Sequence, residues 1–221
     1  MKNRLYILLL LGFSHCWGQP NDLPKGQPAN IETAASKETS SEVPIQAPKV
    51  VPDALSTAAL TLTEQEVTYD PSYFSMDYPN GDVPSDKGVC TDVVIRAYRK
   101  IGIDLQQVVH EDMKAHFEVY PKKWGLKKTD TNIDHRRVPN LMTFFERKGA
   151  EKPISSTAAD YLPGDVVCWN LGGAITHIGI VVHKKSEDGQ RYLIVHNIGG
   201  GQVLDDCLFD FKIIGHYRYK G

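Results

Sequence analysis

The sequence lacks a charge imbalance: 25 Lys and Arg against 27 Asp and Glu leave a formal net charge of −2. The strongly basic balance that marks a chain built to wrap nucleic acid is missing, so nucleic acid is not expected as a partner. The composition is otherwise unexceptional, which excludes a membrane bundle or a collagen-like rod, and no internal repeat is present. Between Gln19 and Pro52 there are almost no aromatic residues. That stretch of Pro, Ser, Thr, Ala, Glu and Lys cannot bury enough apolar surface to offset its ordering entropy.

What is present begins with Lys2 and Arg4, an apolar run from Leu5 to Phe13, and small or polar residues at Ser14, Cys16 and Gly18. A charged start, a short apolar core and a small-residue end make a secretory signal peptide, too short to span a bilayer as a mature helix. Residues 1–18 are therefore expected to direct export, residues 19–52 to form a flexible tether, and residues 53–221 to form one domain. The expected compartment is the periplasm or cell envelope. Lipid anchoring at Cys16 is the less favoured reading, because His15 is a poor residue to precede a lipid-modified cysteine. Cleavage leaves Cys90, Cys168 and Cys207, an odd number where disulfides are permitted. A Cys168–Cys207 bridge stays open.

The domain has two halves. Val93, Val94, Ala97, Tyr98 and Ile101 share one helical stripe that opens at Cys90 and is ended by Gly102. Asp104 caps a second helix carrying Leu105, Val108, Val109, Met113 and Phe117, which Pro121 stops. A third has Pro139 in its first turn and ends at Gly149. After Gly149 the runs become short and β-branched or aromatic: Asp165–Trp169, Thr176–His183, Tyr192–His196 and Ile213–Tyr219, bounded by glycine turns. Helices first and antiparallel strands second make an α+β domain.

The chemistry gathers on three residues. Cys90 opens a helix, where free N–H groups and the helix dipole favour a thiolate and could hold an oxyanion; the carboxylate of Asp92 opposes this mildly. His177 begins one strand and His196 ends the next. With a six-residue loop from Lys184 to Gly189, His183 stands opposite Gln190 and His177 opposite His196, close enough for one ring to orient the other. A slip of one residue would bring Asn197 to that position instead. His183 lies about 20 Å further along the strand. The loop from Lys122 to Arg137, with Trp124, is basic. Arg136 and Arg137, together with Asp92, are candidates for substrate binding, since guanidinium forks match carboxylates. Asp134 and Arg136 could instead pair with each other.

In that order, Cys90-Thr91-Asp92, Pro163-Gly164-Asp165-Val166-Val167, His177-Ile178-Gly179-Ile180 and Val195-His196 resemble the papain-like, NlpC-type cell-wall hydrolases. The stretch from Tyr69 to Tyr219 is similar to a bacterial family known only as a domain of unknown function, family twelve eighty-seven. The strings Gly88-Val89-Cys90-Thr91-Asp92, Asn132 to Asn140 and Thr176 to Ile180 carry that likeness. Val89 and Thr91 stand where the NlpC-type enzymes usually have an acidic residue and a serine, and a long helical insert follows the cysteine. The resemblance implies a papain-like fold with helices packed on an antiparallel sheet.

The expected activity is acyl transfer by a Cys90-His177-His196 triad, cleaving an amide. In the expected compartment a peptidoglycan stem peptide is the obvious substrate. Such chemistry needs no cofactor or metal, and a monomer is expected. Three alternatives stay open: hydrolysis of a lipid or small amide or ester, zinc bound by Cys90, His177 and His196, and a cell-wall binding module without turnover.

Overall fold

The structure, a computed structural model, describes residues 53–221; the signal peptide, the tether and Cys16 lie outside the described residues. Asp53 caps α1 (Ala54–Leu62), its carboxylate accepting from the Leu55 N–H at 2.9 Å. Two short parallel strands, β1 (Thr68–Tyr69) and β2 (Lys87–Gly88), lead into α2 (Cys90–Lys100), which is buried from Cys90 through Tyr98. Next come α3 (Leu105–Ala115) and α4 (Val138–Arg147), the latter with its proline in the first turn as its sequence requires. Gly102 and Gly149, with φ of +86° and +66°, take the left-handed backbone that closes α2 and α4 and that favours glycine.

The helix α3 stops at Ala115, two residues short of the expected Phe117. His116 donates its backbone N–H and its ring Nδ1–H to the same acceptor, the Asp112 carbonyl, and its backbone leaves the helical range. This local competition ends the helix before Pro121 can, and Phe117–Val119 form a separate 3₁₀ turn.

The sheet has five antiparallel strands, β3 (Val166–Gly172), β4 (Ile175–Lys185), β5 (Tyr192–His196), β6 (Val203–Asp205) and β7 (Lys212–Tyr217), in the order β6-β5-β4-β3-β7. The protein is therefore mixed α+β. Ile178, Ile180 and Val182 pack with Val93, Val94 and Ala97 of α2 in the main core. Val181 joins Val167, Trp169, Ile194 and Leu208 in a smaller second core. Successive residues of β4 thus serve two cores, which is why this strand is apolar without a break from Ile178 to Val182. Among the described residues no helix is long and apolar enough to cross a membrane.

The β4–β5 register differs from the expected one by two residues. Gly179, not His177, stands opposite His196, and Lys185 stands opposite Tyr192 after an irregularity beyond Val181. The turn is the cause. It closes between Ser186 and Arg191, where the Ser186 N–H donates to the Arg191 carbonyl at 2.9 Å, a register four residues from the assumed His183–Gln190 pairing, and the irregularity between Val181 and Lys185 takes two of the four back. A shift of two is even, so His177 and His196 keep a common face.

Candidate active site

Cys90 is the first residue of α2, and its loop is held from two directions. The Val89 N–H donates to Asp92 Oδ2 at 2.7 Å, satisfying a backbone donor that the helix start would otherwise leave free. Arg136 grips the same carboxylate through Nε and Nη2 at 2.9 and 3.0 Å, and both side chains are buried. Asp92 and Arg136 are spent on each other, so the geometry gives them a positioning role in place of the expected contact with substrate. Asp134, in turn, pairs with His110 at 2.9 Å and not with Arg136.

The strand β5 ends at His196, opposite Gly179, so Ile178 and His177 have no β5 neighbour. Into that opening comes Cys90, whose thiol faces the Ile178 N–H as well as its own and that of Thr91. Asn197 pins the departing chain: its Nδ2 donates to the Gly88 carbonyl at 3.3 Å and its Oδ1 accepts from the Gly199 N–H at 3.1 Å. With both ends of its amide engaged, Asn197 does not orient an imidazole; it ties the end of β5 to the cysteine loop.

His177 Nε2 lies 2.8 Å from His196 Nδ1, with the rings nearly perpendicular at 79°. This diagonal reach exists because the residue between them is glycine. A Cβ at Gly179 would come within 2.7 Å of Ile194 Cγ2 and 3.0 Å of His196 Cβ. Trp169, directly opposite His177 on β3, supports the ring from the other side at 5.8 Å between centroids. His196 Nε2 faces Asp205 Oδ2 at 3.6 Å, longer than a hydrogen bond but close enough for an acceptor-only carboxylate to favour a proton on that nitrogen. With the His196 proton on that nitrogen, His196 Nδ1 accepts, His177 Nε2 donates and His177 Nδ1 is left as a free base; a proton donated to Nε2 by the Cys207 thiol, also 3.6 Å away, reverses the pair. No hydrogen bond joins Cys90 to either histidine.

Electrostatics set both groups neutral at rest. Burial pushes the Cys90 thiol up to about 12, with Asp92 adding to it against the amides of Ile178, Thr91 and Cys90. The helix start was expected to favour a thiolate; desolvation outweighs it. Burial, followed by the neighbouring His196, lowers His177 to about 3. Burial also lowers His196, opposed by Asp205.

A groove of about 230 Å³ opens at the thiol, lined by Tyr69, Cys90, Thr91, Trp124, Arg137 and Thr176 among others. Arg137 lies over the Trp124 ring at 4.1 Å, and its Nη1 has no hydrogen-bond partner. Of the expected substrate-binding residues it is the one whose charge is unspent. Cys168 and Cys207 are both free and buried, so the bridge left open by the sequence is not formed. Asp205 and Cys207, beside His196, were not found from the sequence, because the short strand β6 and the loop after it carry no periodic signal. Neither was the His183–Ser56 bond of 2.8 Å, which secures α1 to β4.

A family model described as a domain of unknown function, DUF1287, matches residues 56–219. The uncharacterized protein YijF of Escherichia coli (strain K12) is 52% identical over 151 residues, covering 68% of this chain and 73% of that protein. The family match reaches back over α1, whose burial makes it part of the domain.

Proposed function

Because this chain belongs to the DUF1287 family, a domain of unknown function, we propose its activity from the site itself: it is an exported cysteine hydrolase of papain-like, NlpC-type architecture that cleaves an amide bond, with peptidoglycan stem peptides as substrate. The observation that carries the reading is the 2.8 Å contact between His177 Nε2 and His196 Nδ1. It commits one nitrogen of His177 and leaves the other as a base beside the strand segment that faces the Cys90 thiol.

The mechanism follows from the neutral resting state. As a carbonyl carbon enters the groove, His177 Nδ1 takes the Cys90 proton while the sulfur attacks, so charge appears only in the transition state. The N–H groups of Cys90 and Thr91, at the helix start, are the donors for the oxyanion in this reading. His177 then gives its proton to the leaving nitrogen. Water, deprotonated by the same ring, releases the acyl group and restores the thiol. His196 keeps the working tautomer throughout, and Arg137 is suited to a carboxylate on the peptide.

Incubating the purified protein with cell-wall sacculi, and separately with lipid amides and esters, tests this. Soluble muropeptides released by the wild type but not by Cys90→Ala support the reading. Release that survives Cys90→Ala ends it, and turnover of the lipid substrates alone moves the enzyme to the other class.

A further inference from the structure

His196 has a second side. Its Nε2, turned away from His177, lies 3.6 Å from Cys207 Sγ and 3.6 Å from Asp205 Oδ2, and the three donor atoms fall within 4.8 Å of one another. Zinc bonds of roughly 2.0–2.3 Å at tetrahedral angles set nitrogen, sulfur and oxygen donors about 3.3–3.6 Å apart. Both contacts to His196 are thus already near the spacing such an ion needs. A rotation of the Asp205 carboxylate, which is more than half exposed, would bring in the third. Two donors are buried and the third faces solvent, which gives an ion a way in and a fourth position for water. Asp205, Asp210 and Asp206 all surround the Cys207 thiol with negative charge. Among the described residues no other group of three or more His, Cys, Asp or Glu side chains is so arranged. The zinc site considered from the sequence, on Cys90, His177 and His196, is not assembled, since His177 Nε2 and His196 Nδ1 are turned on each other.

We propose that His196, Asp205 and Cys207 form a zinc site that switches the enzyme off, an inference that rests on the reading of His177 as base. The switch is a matter of tautomers. To ligate, His196 must present the Nε2 lone pair, so in its neutral form the ring proton sits on Nδ1. That N–H donates to His177 Nε2, which must now accept, and the His177 proton moves to Nδ1. The nitrogen that would take the Cys90 proton is then already protonated. The bonds formed are zinc to Cys207 sulfur, His196 Nε2 and an Asp205 oxygen. The two ring protons change place, and one proton, from the Cys207 thiol, is released to solvent.

Cobalt(II) titration of the purified protein tests the site, because a thiolate ligand gives a sulfur-to-cobalt charge-transfer band. One equivalent should produce the band in the wild type and in Cys90→Ala, and none in Cys207→Ser. Asp205→Ala, at a position more than half exposed, should weaken binding about 10- to 100-fold. The switch is read by alkylation of Cys90 with iodoacetamide. Zinc should slow it about 10²-fold or more in the wild type, as loss of a general base does, and leave it unchanged in Cys207→Ser. A band that disappears in Cys90→Ala and persists in Cys207→Ser overturns the site, as does the absence of stoichiometric binding. Stoichiometric zinc without slowing overturns the switch if His177→Ala does slow alkylation. If His177→Ala has no effect either, it is the base assignment that has failed.

Discussion

Two histidines on the same sheet are treated in opposite ways. His216, on β7, has both ring nitrogens engaged: Nδ1 donates to the Pro153 carbonyl at 3.1 Å, and Nε2 meets Asp165 Oδ2 at 2.8 Å. Asp165 also takes two hydrogen bonds from Arg218, so the cluster is complete. His177, equally buried, has one nitrogen engaged and one without a partner. The unpartnered His177 nitrogen is not among the fully enclosed polar atoms, so the closed cluster reads as structure and the open one, which a reactant can reach, as chemistry.

The largest expected effect breaks the open site. His177→Ala should lower hydrolysis about 10²- to 10⁴-fold, measured as muropeptide release, with little change in melting temperature. The pH dependence is distinctive. With His177 lowered to about 3 and Cys90 raised to about 12, no thiolate–imidazolium pair exists near neutrality. The ultraviolet absorbance of a thiolate, taken as the difference between wild type and Cys90→Ala, should be absent through the neutral range and appear only under strongly alkaline conditions. Thiolate absorbance already present from mildly acidic to neutral pH would falsify the neutral resting pair.

Breaking the closed cluster should show in stability instead. Asp165→Asn leaves Arg218 and His216 without their shared carboxylate and should cost about 3 kcal/mol, read by urea unfolding, while activity per folded molecule is kept. Burial raises the Asp165 carboxyl, but the hydrogen bonds from His216, Arg218 and Leu162 outweigh it and hold it below the usual range. For a depressed carboxyl the contribution is complete above the unfolded value of about 3.9 and is lost as pH falls through the folded one. Wild type and Asp165→Asn should therefore converge in stability under acid. Two curves that stay parallel down to the acid transition would assign the effect to packing alone.

Gly179→Ala lies between the two regions. Its Cβ would meet Ile194 Cγ2 at 2.7 Å and His196 Cβ at 3.0 Å, so the imidazole must move off the diagonal to His177. A displacement of this kind costs about 10²-fold in turnover. A crystal structure of the variant with His177 Nε2 still 2.8 Å from His196 Nδ1, and full activity, would show that the close approach is not needed.

Signals carried by neighbours in the chain were readable and those carried across it were not. The Asp104 cap, Pro139 and the two helix-ending glycines act within a turn, and each appears where expected. So did the common face of His177 and His196, because a period of two survives an even slip; the register did not, since it depended on where one loop closed. The helix α1 was missed because Ala54–Leu62 is built of Ala, Ser, Thr and Leu, much like the tether before it, and only its packing on α2 and β4 distinguishes it. Asp92 and Arg136 were named as a site, but a sequence does not show that a side chain 44 residues away returns to neutralise a carboxylate.

The neighbouring arginines repeat the contrast on a smaller scale, and they give the smallest expected effect. Arg136 has its guanidinium bound to Asp92 and to the Ser72 carbonyl, whereas Arg137, which lines the groove, rests on Trp124 with Nη1 buried and unpaired. Removing the Trp124 ring should cost only about 0.5–1 kcal/mol of stability, the worth of an exposed cation–π contact. If the free nitrogen receives a substrate carboxylate, Arg137→Lys keeps the charge but loses the fork, so KM should rise with kcat nearly unchanged. Equal KM for a stem peptide and its amidated form, in wild type and variant alike, would return Arg137 to the class of its neighbour, a residue that holds the loop and reads nothing.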